Sequence, residues 1–308
     1  MQVVVAGGAG DLGAAVVRAF CALGVHTTAL VHPRTDTWRL ADVPAAEVVR
    51  VDLLDTVAVA EVLRGRRDLV VVDAAGRSGH PGTPGGPSQV NLWRDTVLAT
   101  VSLLDAVDPA SVQGVVHLGS SLTYAPADRP LRETGPFAPI TARGVAKRAA
   151  ATALWHWAAA TGAPATELVV FRAYGPRETA GRLVPTLVDA VRSGAVVPLV
   201  DADTRRDMVY VDDVAEAVVR VAGAAAYGSR INVGSGVAST VPEIVAAFEA
   251  ASGHPVRVAP GGRPARAYDV PLWVADLRHC QEVLSWHPPT SLAEGMERLW
   301  AAVAVGVA

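Results

Sequence analysis

The chain has 308 residues, of which 51% are hydrophobic and 19% charged, so it can bury a sizeable core and is not a disordered polymer. Its formal net charge of −3 gives no electrostatic case for binding nucleic acid or an anionic membrane. Two isolated cysteines, Cys21 and Cys280, support neither a disulfide framework nor a metal site, and they fit a reducing cytoplasm. Met1 leads straight into a strand pattern and no apolar run reaches bilayer length, so a cytoplasmic location is expected.

Apolar runs rich in β-branched residues alternate with helical periodicity, the pattern of a parallel α/β sheet. Val3–Ala6 reads as the first strand. A helix is expected from Asp11 to Leu23, with Leu12, Val16 and Phe20 on one face. Thr27–Val31, Glu47–Val51 and Leu69–Val72 read as the second, third and fourth strands. A Gly- and Pro-rich loop, Gly79–Pro87, leads into a long helix that ends near Val107. Val115–Leu118 is the fifth strand, a helix covers Ala142–Ala160, and Leu168–Phe171 is the sixth strand. Beyond it the pattern is patchier, with short strands, a helix after Pro242 and a last helix over Leu292–Ala302. The expected division is a nucleotide-binding core over 1–172 and a smaller substrate lobe over 173–308 that returns segments to the core.

Ala6-Gly7-Gly8-Ala9-Gly10-Asp11-Leu12-Gly13 follows the first strand and opens the first helix. In that context Gly7 permits the tight turn, Gly10 lets backbone approach a pyrophosphate, and Gly13 allows close helix–strand packing. The helix start offers unpaired N–H groups to phosphate. A dinucleotide cofactor is expected, with Asp11 either near its phosphates or serving the helix N-terminus. After the second strand, His32 and Arg34 stand where an acid would bond the ribose of NAD, so NADP is preferred and NAD remains possible. Asp52-Leu53 and Asp73-Ala74-Ala75-Gly76 follow the third and fourth strands, and small residues there let the backbone lie along a cofactor.

Four later segments stand in a telling order. They are Ser120-Ser121-Leu122-Thr123-Tyr124, Tyr174-Gly175-Pro176-Arg177, Arg206-Asp207-Met208-Val209-Tyr210-Val211-Asp212-Asp213, and Ile231-Asn232-Val233-Gly234-Ser235-Gly236. Together they resemble the extended short-chain dehydrogenase/reductase family, in its group of nucleotide-sugar epimerases, dehydratases and keto-sugar reductases. The flavour is that of bacterial antibiotic and surface-sugar pathways. The resemblance covers essentially the whole chain and implies a Rossmann-type doubly wound parallel sheet with a smaller C-terminal substrate lobe. It further implies that Ser120 bonds the reacting oxygen, that Lys147 holds the nicotinamide ribose, and that Tyr174 sits near the nicotinamide. Leu12, Asp52, Leu53, Ala74, Ala75 and Thr96 would line the cofactor. Ser121 and Arg172 would face the substrate, and Arg206 and Arg263 would clamp a diphosphate. The family's helix pair, here near 88–107 and 142–160, implies a homodimer, with Trp155 and Trp157 at the interface or in the core.

Three residues depart from the family pattern: Arg143 replaces the Tyr of Tyr-x-x-x-Lys, while Thr96 and Arg172 each replace an Asn. Arginine is not deprotonated in proteins, so Arg143 is no general base. It can stabilise a developing oxyanion with its fixed donors. The proton then comes from Ser120, Tyr124, water or a substrate hydroxyl. General acid–base help is worth about 10²–10⁴-fold, which a reductase can forgo more readily than an epimerase or dehydratase. The expected function is an NADP(H)-dependent ketoreductase acting on a nucleotide-linked keto-sugar, with a small-molecule substrate and no metal. The alternatives are a ketoreductase of a polyketide or other secondary metabolite, an NADP-binding pseudoenzyme or regulator, and a non-redox lyase or cyclase on the same fold.

Overall fold

The computed structural model describes residues 1–79, 81, 86–199, 204–263, 269–270 and 272–304. Of the expected loop over 79–87, residues 80 and 82–85 lie outside the described residues. The first half alternates as its periodicity predicts: β1 (Gln2–Ala6), α1 (Asp11–Ala22), β2 (Thr27–Val31), β3 (Glu47–Arg50), α2 (Thr56–Leu63), β4 (Leu69–Asp73), α3 (Gln89–Trp93), α4 (Ala99–Ala106), β5 (Val112–Leu118), α5 (Ala142–Thr161) and β6 (Ala165–Val170). Next come β7 (Arg172–Tyr174), α6 (Leu183–Ser193), β8 (Val197–Pro198), β9 (Arg205–Arg206), β10 (Met208–Tyr210), α7 (Val211–Gly223) and β11 (Arg230–Val233). The chain continues through β12 (Ser239–Thr240), α8 (Val241–Ser252), β13 (Val258–Ala259), α9 (Arg278–Leu284) and α10 (Leu292–Ala304).

The main sheet has seven strands in the order β11-β6-β5-β4-β1-β2-β3, and its pairings are parallel. Strand order reverses between β1 and β4, and a crevice opens there at the carboxyl ends. The two faces of β1 feed separate cores. Val3 and Val5 pack with α1 and α7, whereas Val4 and Ala6 pack with α2, α4 and α5 residues such as Val59, Leu103 and Leu154. Strand alternation thus anchors two helical layers on one sheet. β11 returns from the C-terminal half to pair with β6, so the lobe after residue 172 contributes to the main sheet. The rest of that lobe has its own core, built by Tyr174, Leu187, Tyr210, Ile244, Phe248 and Leu299, among others.

Two features position the cleft. The long helix expected after the Gly/Pro loop is interrupted by a π-helical turn over Arg94–Leu98, between α3 and α4, which carries Thr96 inward to 1% exposure. α5 starts on Thr141, whose hydroxyl accepts a hydrogen bond from Gly144 N, and a Cβ on Gly144 would overlap the Leu122 carbonyl. The start of α5 therefore presses against the Ser121–Thr123 turn. Among the described residues, no helix is long and apolar enough to cross a membrane.

Beneath that turn Tyr124 is fully buried, stacked on Phe137 with ring centroids 5.0 Å apart. Its hydroxyl donates to Asn232 Oδ1 at 2.7 Å, and the Asn232 amide donates in turn to Leu131 O at 2.8 Å. Tyr124→Phe strips a buried amide oxygen of its donor, at a cost of roughly 1–3 kcal/mol. The expected outcome is a lower denaturant midpoint with the slope and the dinucleotide affinity unchanged. A loss of dinucleotide binding at full stability would place Tyr124 in the site after all.

Candidate active site

The glycine turn is built as its spacing requires. Gly7 adopts φ +74°, and a Cβ on Gly13 would overlap the Gly7 carbonyl, so the helix start can close on the turn only with glycine at both positions. Gly10, Asp11 and Leu12 then face a cleft of about 1120 Å³, together with Ala74, Ala75 and Gly76 from the end of β4. The first turn of α1 points its N–H groups at that space, and the residues present fit a dinucleotide pyrophosphate. Asp11 does not bond the helix start. Its carboxylate meets Arg39 Nη2 at 2.8 Å and accepts from the Thr179 hydroxyl at 2.8 and 2.9 Å, with Arg182 at 3.9 Å. This ties the 175–182 segment, from beyond β7, to the cofactor turn.

At the adenosine end Arg34 is exposed, and its N–H donates to His32 Nδ1 at 3.2 Å. His32 Nε2 lies 3.6 Å from Asp52 Oδ2, which also has Arg94 at 3.5 Å. Leu53 is half-buried against the core. Thr35 and Arg39 wall the cleft here, whereas Arg34 and His32 do not line it.

Ser120, Ser121, Arg143 and Lys147 line the cleft together. Ser120 stands at the end of β5, where its hydroxyl accepts from Leu122 N at 3.3 Å. Arg143 and Lys147 are four apart on α5 and share a face. Lys147 is 6% exposed, and its Nζ donates to Leu118 O at 2.8 Å and Ala75 O at 3.1 Å. A Cβ built on Gly76 would lie 3.3 Å from Nζ and 3.7 Å from Thr96 Oγ1. Thr96 Oγ1 is buried and has no hydrogen-bond partner among the described residues. A ligand hydroxyl in front of Gly76 would meet both groups, as a nicotinamide ribose does if the site holds the cofactor.

Behind Lys147 lies a buried polar cluster that sequence reasoning did not single out. Asp73 Oδ2 accepts from Thr100 Oγ1 at 2.7 Å and lies 2.7 Å from His117 Nδ1, while Asp73 Oδ1 accepts from Ala75 N at 3.0 Å. Burial opposes the charge on Asp73, but His117, Lys147 and these bonds outweigh it and hold the carboxyl below its usual range. For Lys147 burial dominates in the other direction. Desolvation, reinforced by the Arg143 charge and opposed by Asp73 and Glu167, brings the ammonium down to about 8.

The far wall carries Arg206 and Arg263, and both reach Asp269. Arg206 Nη2 bonds Asp269 Oδ1 at 2.9 Å, and Arg263 Nη2 lies 3.7 Å from Oδ2. The two residues expected to clamp a diphosphate, 57 positions apart in number, are thus brought to one carboxylate on the cleft. Arg172 also lines the cleft, paired with Glu178 at 3.1 Å. Burial raises the Glu178 carboxyl, against the lowering effect of Arg172 and Arg182. Tyr174 borders the cleft, but its hydroxyl donates to Leu292 O at 3.4 Å and its ring packs edge-on to Tyr210, so it belongs chiefly to the core of the C-terminal lobe. Tyr124 is corrected in the same sense. The sequence admits it as a proton source, yet its hydroxyl is buried away from the cleft wall and burial pushes its ionisation far up. Among the described residues no group of three or more His, Cys, Asp or Glu is placed to hold a metal.

Of the residues missed, Arg39, Thr179 and Arg182 carry no local signal, because Thr179 meets Asp11 across 168 positions. A compositional signal was available for Lys147: it is the chain's single lysine beside 26 arginines.

Comparison with known proteins agrees with this geometry. A UDP-glucose 4-epimerase of Mycolicibacterium smegmatis is 32% identical over 209 residues, 66% of each chain. A dTDP-6-deoxy-L-talose 4-dehydrogenase (NAD(P)(+)) of Kitasatospora kifunensis is 27% identical over 98% of this chain and 95% of its own. The solved structure of MoeE5 in complex with UDP-glucuronic acid and NAD superposes with a TM-score of 0.85 at 29% identity, covering 99% of this chain and 100% of that one. Residues 3–234, from β1 to the turn after β11, match a single family description, and with the seven-stranded sheet and glycine turn in agreement the chain belongs to the NAD dependent epimerase/dehydratase family.

Proposed function

We propose that this protein is an NADP(H)-dependent ketoreductase acting on a nucleotide-linked keto-sugar. The observation that carries the reading is one continuous cleft walled by the glycine turn, by Ser120, Arg143 and Lys147, and by the Arg206–Arg263 pair. Its volume, about 1120 Å³, exceeds the usual range for a single small ligand and suits two nucleotides. The bound nicotinamide would supply the hydride. The chain's own residues do the rest. The start of α1 holds phosphate, and Ser120 donates to the reacting oxygen. Arg143 stabilises the charge that grows there during reduction. Arg206 and Arg263, kept oriented by Asp269, grip the diphosphate of the substrate. Reduction is favoured over epimerisation because a guanidinium stabilises an oxyanion but does not take a proton from a hydroxyl. The K. kifunensis relative carries a dehydrogenase name, which supports net hydride transfer over epimerisation.

We infer a homodimer from the helices over 89–106. Val90, Trp93, Leu98 and Val101 are 40–75% exposed there, with Val145 of α5 at 40%. A second copy would cover them. Trp155 and Trp157 are half-buried, Trp155 donating to Glu167 at 3.2 Å and Trp157 packing on the core under α5, so neither is assigned to that surface. Light scattering should give twice the 31.9 kDa chain mass, and a monomer at micromolar concentration would remove this assignment.

NADPH should bind more tightly than NADH, because no acid stands at the end of β2 and the cleft there is walled by Arg39. Fluorescence titration of both cofactors measures the difference, and equal affinity or a preference for NADH would reverse the assignment.

Arg206→Ala should raise KM at least tenfold with little change in kcat, since charge-assisted bonds of roughly 1.5–3 kcal/mol are lost far from the reacting carbon. If the variant binds uridine or thymidine diphosphate as well as wild type does, the secondary-metabolite reading displaces the nucleotide-sugar one.

A further inference from the structure

Asp73 ends β4 as the charged residue of an otherwise apolar strand, Leu69-Val70-Val71-Val72, and it is 1% exposed. A buried carboxylate is costly unless it is paired and hydrogen-bonded, and apolar packing often stabilises a fold as well as a buried ion pair does. Stability alone therefore gives no reason for a carboxylate here. Its contacts do. Oδ1 accepts from Ala75 N at 3.0 Å, while Oδ2 lies 2.7 Å from His117 Nδ1 and 2.7 Å from Thr100 Oγ1. A carboxylate only accepts, so the proton of this bond sits on His117 Nδ1. His117 is fully buried and its Nε2 has no hydrogen-bond partner among the described residues, so the ring bonds Asp73 alone.

From this carboxylate two arms run to the space in front of Gly76. One passes through the main chain: Asp73 holds Ala75 N, and Ala75 O accepts from Lys147 Nζ at 3.1 Å. The other passes through α4. Thr100 Oγ1 lies between Asp73 Oδ2 and Thr96 O, at 2.7 and 2.9 Å, so its one proton is shared by two acceptors and the side chain bridges them. Thr96 stands in the π-helical turn, and its Oγ1 is buried with no partner among the described residues. Both arms end at one place. A Cβ on Gly76 would lie 3.3 Å from Lys147 Nζ and 3.7 Å from Thr96 Oγ1, and Gly76 adopts φ +150°, which L side chains rarely do.

We propose that Asp73 is the positioning residue of the nicotinamide-ribose site: one buried carboxylate sets both the lysine and the threonine that face Gly76. Burial opposes its charge, but His117, Lys147 and Thr100 keep the carboxyl below its usual range, so it accepts from all three donors at working pH. Asp73 touches no ligand itself and acts through Ala75, Lys147, Thr100 and Thr96. This role requires a dinucleotide in the cleft but no direction of hydride transfer, so it stands or fails apart from the ketoreductase reading.

Binding measurements separate a positioning role from a structural one. Asp73→Asn keeps the shape of the side chain, but an amide puts a donor where one carboxylate oxygen was, and the partners of Asp73 are all donors. Calorimetric titration should show NADH and NADPH bound about 10–100-fold more weakly than by wild type, the loss of a hydrogen bond to a charged group. ADP keeps the adenosine and both phosphates but lacks the nicotinamide ribose, and the variant should bind it as wild type does. Thr100→Val cuts one arm only and should weaken the dinucleotides by about 3–10-fold, again sparing ADP. Equal loss of dinucleotide and ADP binding marks a merely structural residue and overturns the proposal. So do unchanged dinucleotide affinities in Asp73→Asn, or in Thr100→Val where Asp73→Asn does not fold. A wild-type protein that binds neither dinucleotide overturns it as well.

Discussion

The burial of one ammonium group against two main-chain carbonyls is the constraint on which the Ser120–Arg143 wall of the cleft depends. Leu118 O closes β5 and Ala75 O follows β4, so Lys147 ties the ends of these two strands, on one side of the sheet's reversal point, to α5. A buried charge is costly unless it is paired and hydrogen-bonded. Here Asp73 supplies the opposite charge from within the sheet, and it is itself held by Thr100, His117 and the Ala75 N–H. The arrangement fixes Nζ between the ends of two strands. Ser120 and Arg143 take their positions from the same packing, because the start of α5 rests on the turn that begins at Ser120.

Electrostatics organises the rest of the cleft by the same rule, an arginine steered by a carboxylate. Asp11 gathers Arg39 and Arg182, Asp42 gathers Arg18 and Arg177, Glu178 gathers Arg172 and Arg182, and Asp269 gathers Arg206 and Arg263. These carboxylates set guanidinium geometry in advance, which lowers the ordering cost of binding an anion. Several of the pairs join residues before β7 to residues after it. Asp11 with Thr179, and Asp42 with Arg177, fasten the segment after Tyr-Gly-Pro over the glycine turn. The two halves of the cleft are therefore mechanically joined at the glycine turn.

Much of the Rossmann half is legible in the sequence because its signals are local. β1, β2 and α1 fall within a residue or two of the expected limits, since strand alternation, the glycine turn and an amphipathic face lie in consecutive residues. β5 begins at Val112, earlier than the apolar run suggests, and β6 at Ala165, because pairing with buried neighbours extends strands into less apolar positions. α2, α6, α7 and α9 were not expected. α7 opens with Val211-Asp212-Asp213, and its apolar face meets α1. In the cleft, motif matches locate Ser120, Lys147, Arg206 and Arg263, but the carboxylates that orient them are distant in sequence and have no motif. Tyr124 shows the opposite error. Its place in a Ser-x-x-x-Tyr pattern suggests chemistry, while its ring serves the core.

Arg143 and Lys147 stand one turn apart on α5 and both line the cleft, so each cation raises the cost of the other's charge. The guanidinium keeps its charge at any working pH, so the repulsion falls on the ammonium, which burial already disfavours. Asp73 on β4 and Glu167 on β6 oppose that loss from within the sheet, and the charge at Nζ is set by this balance.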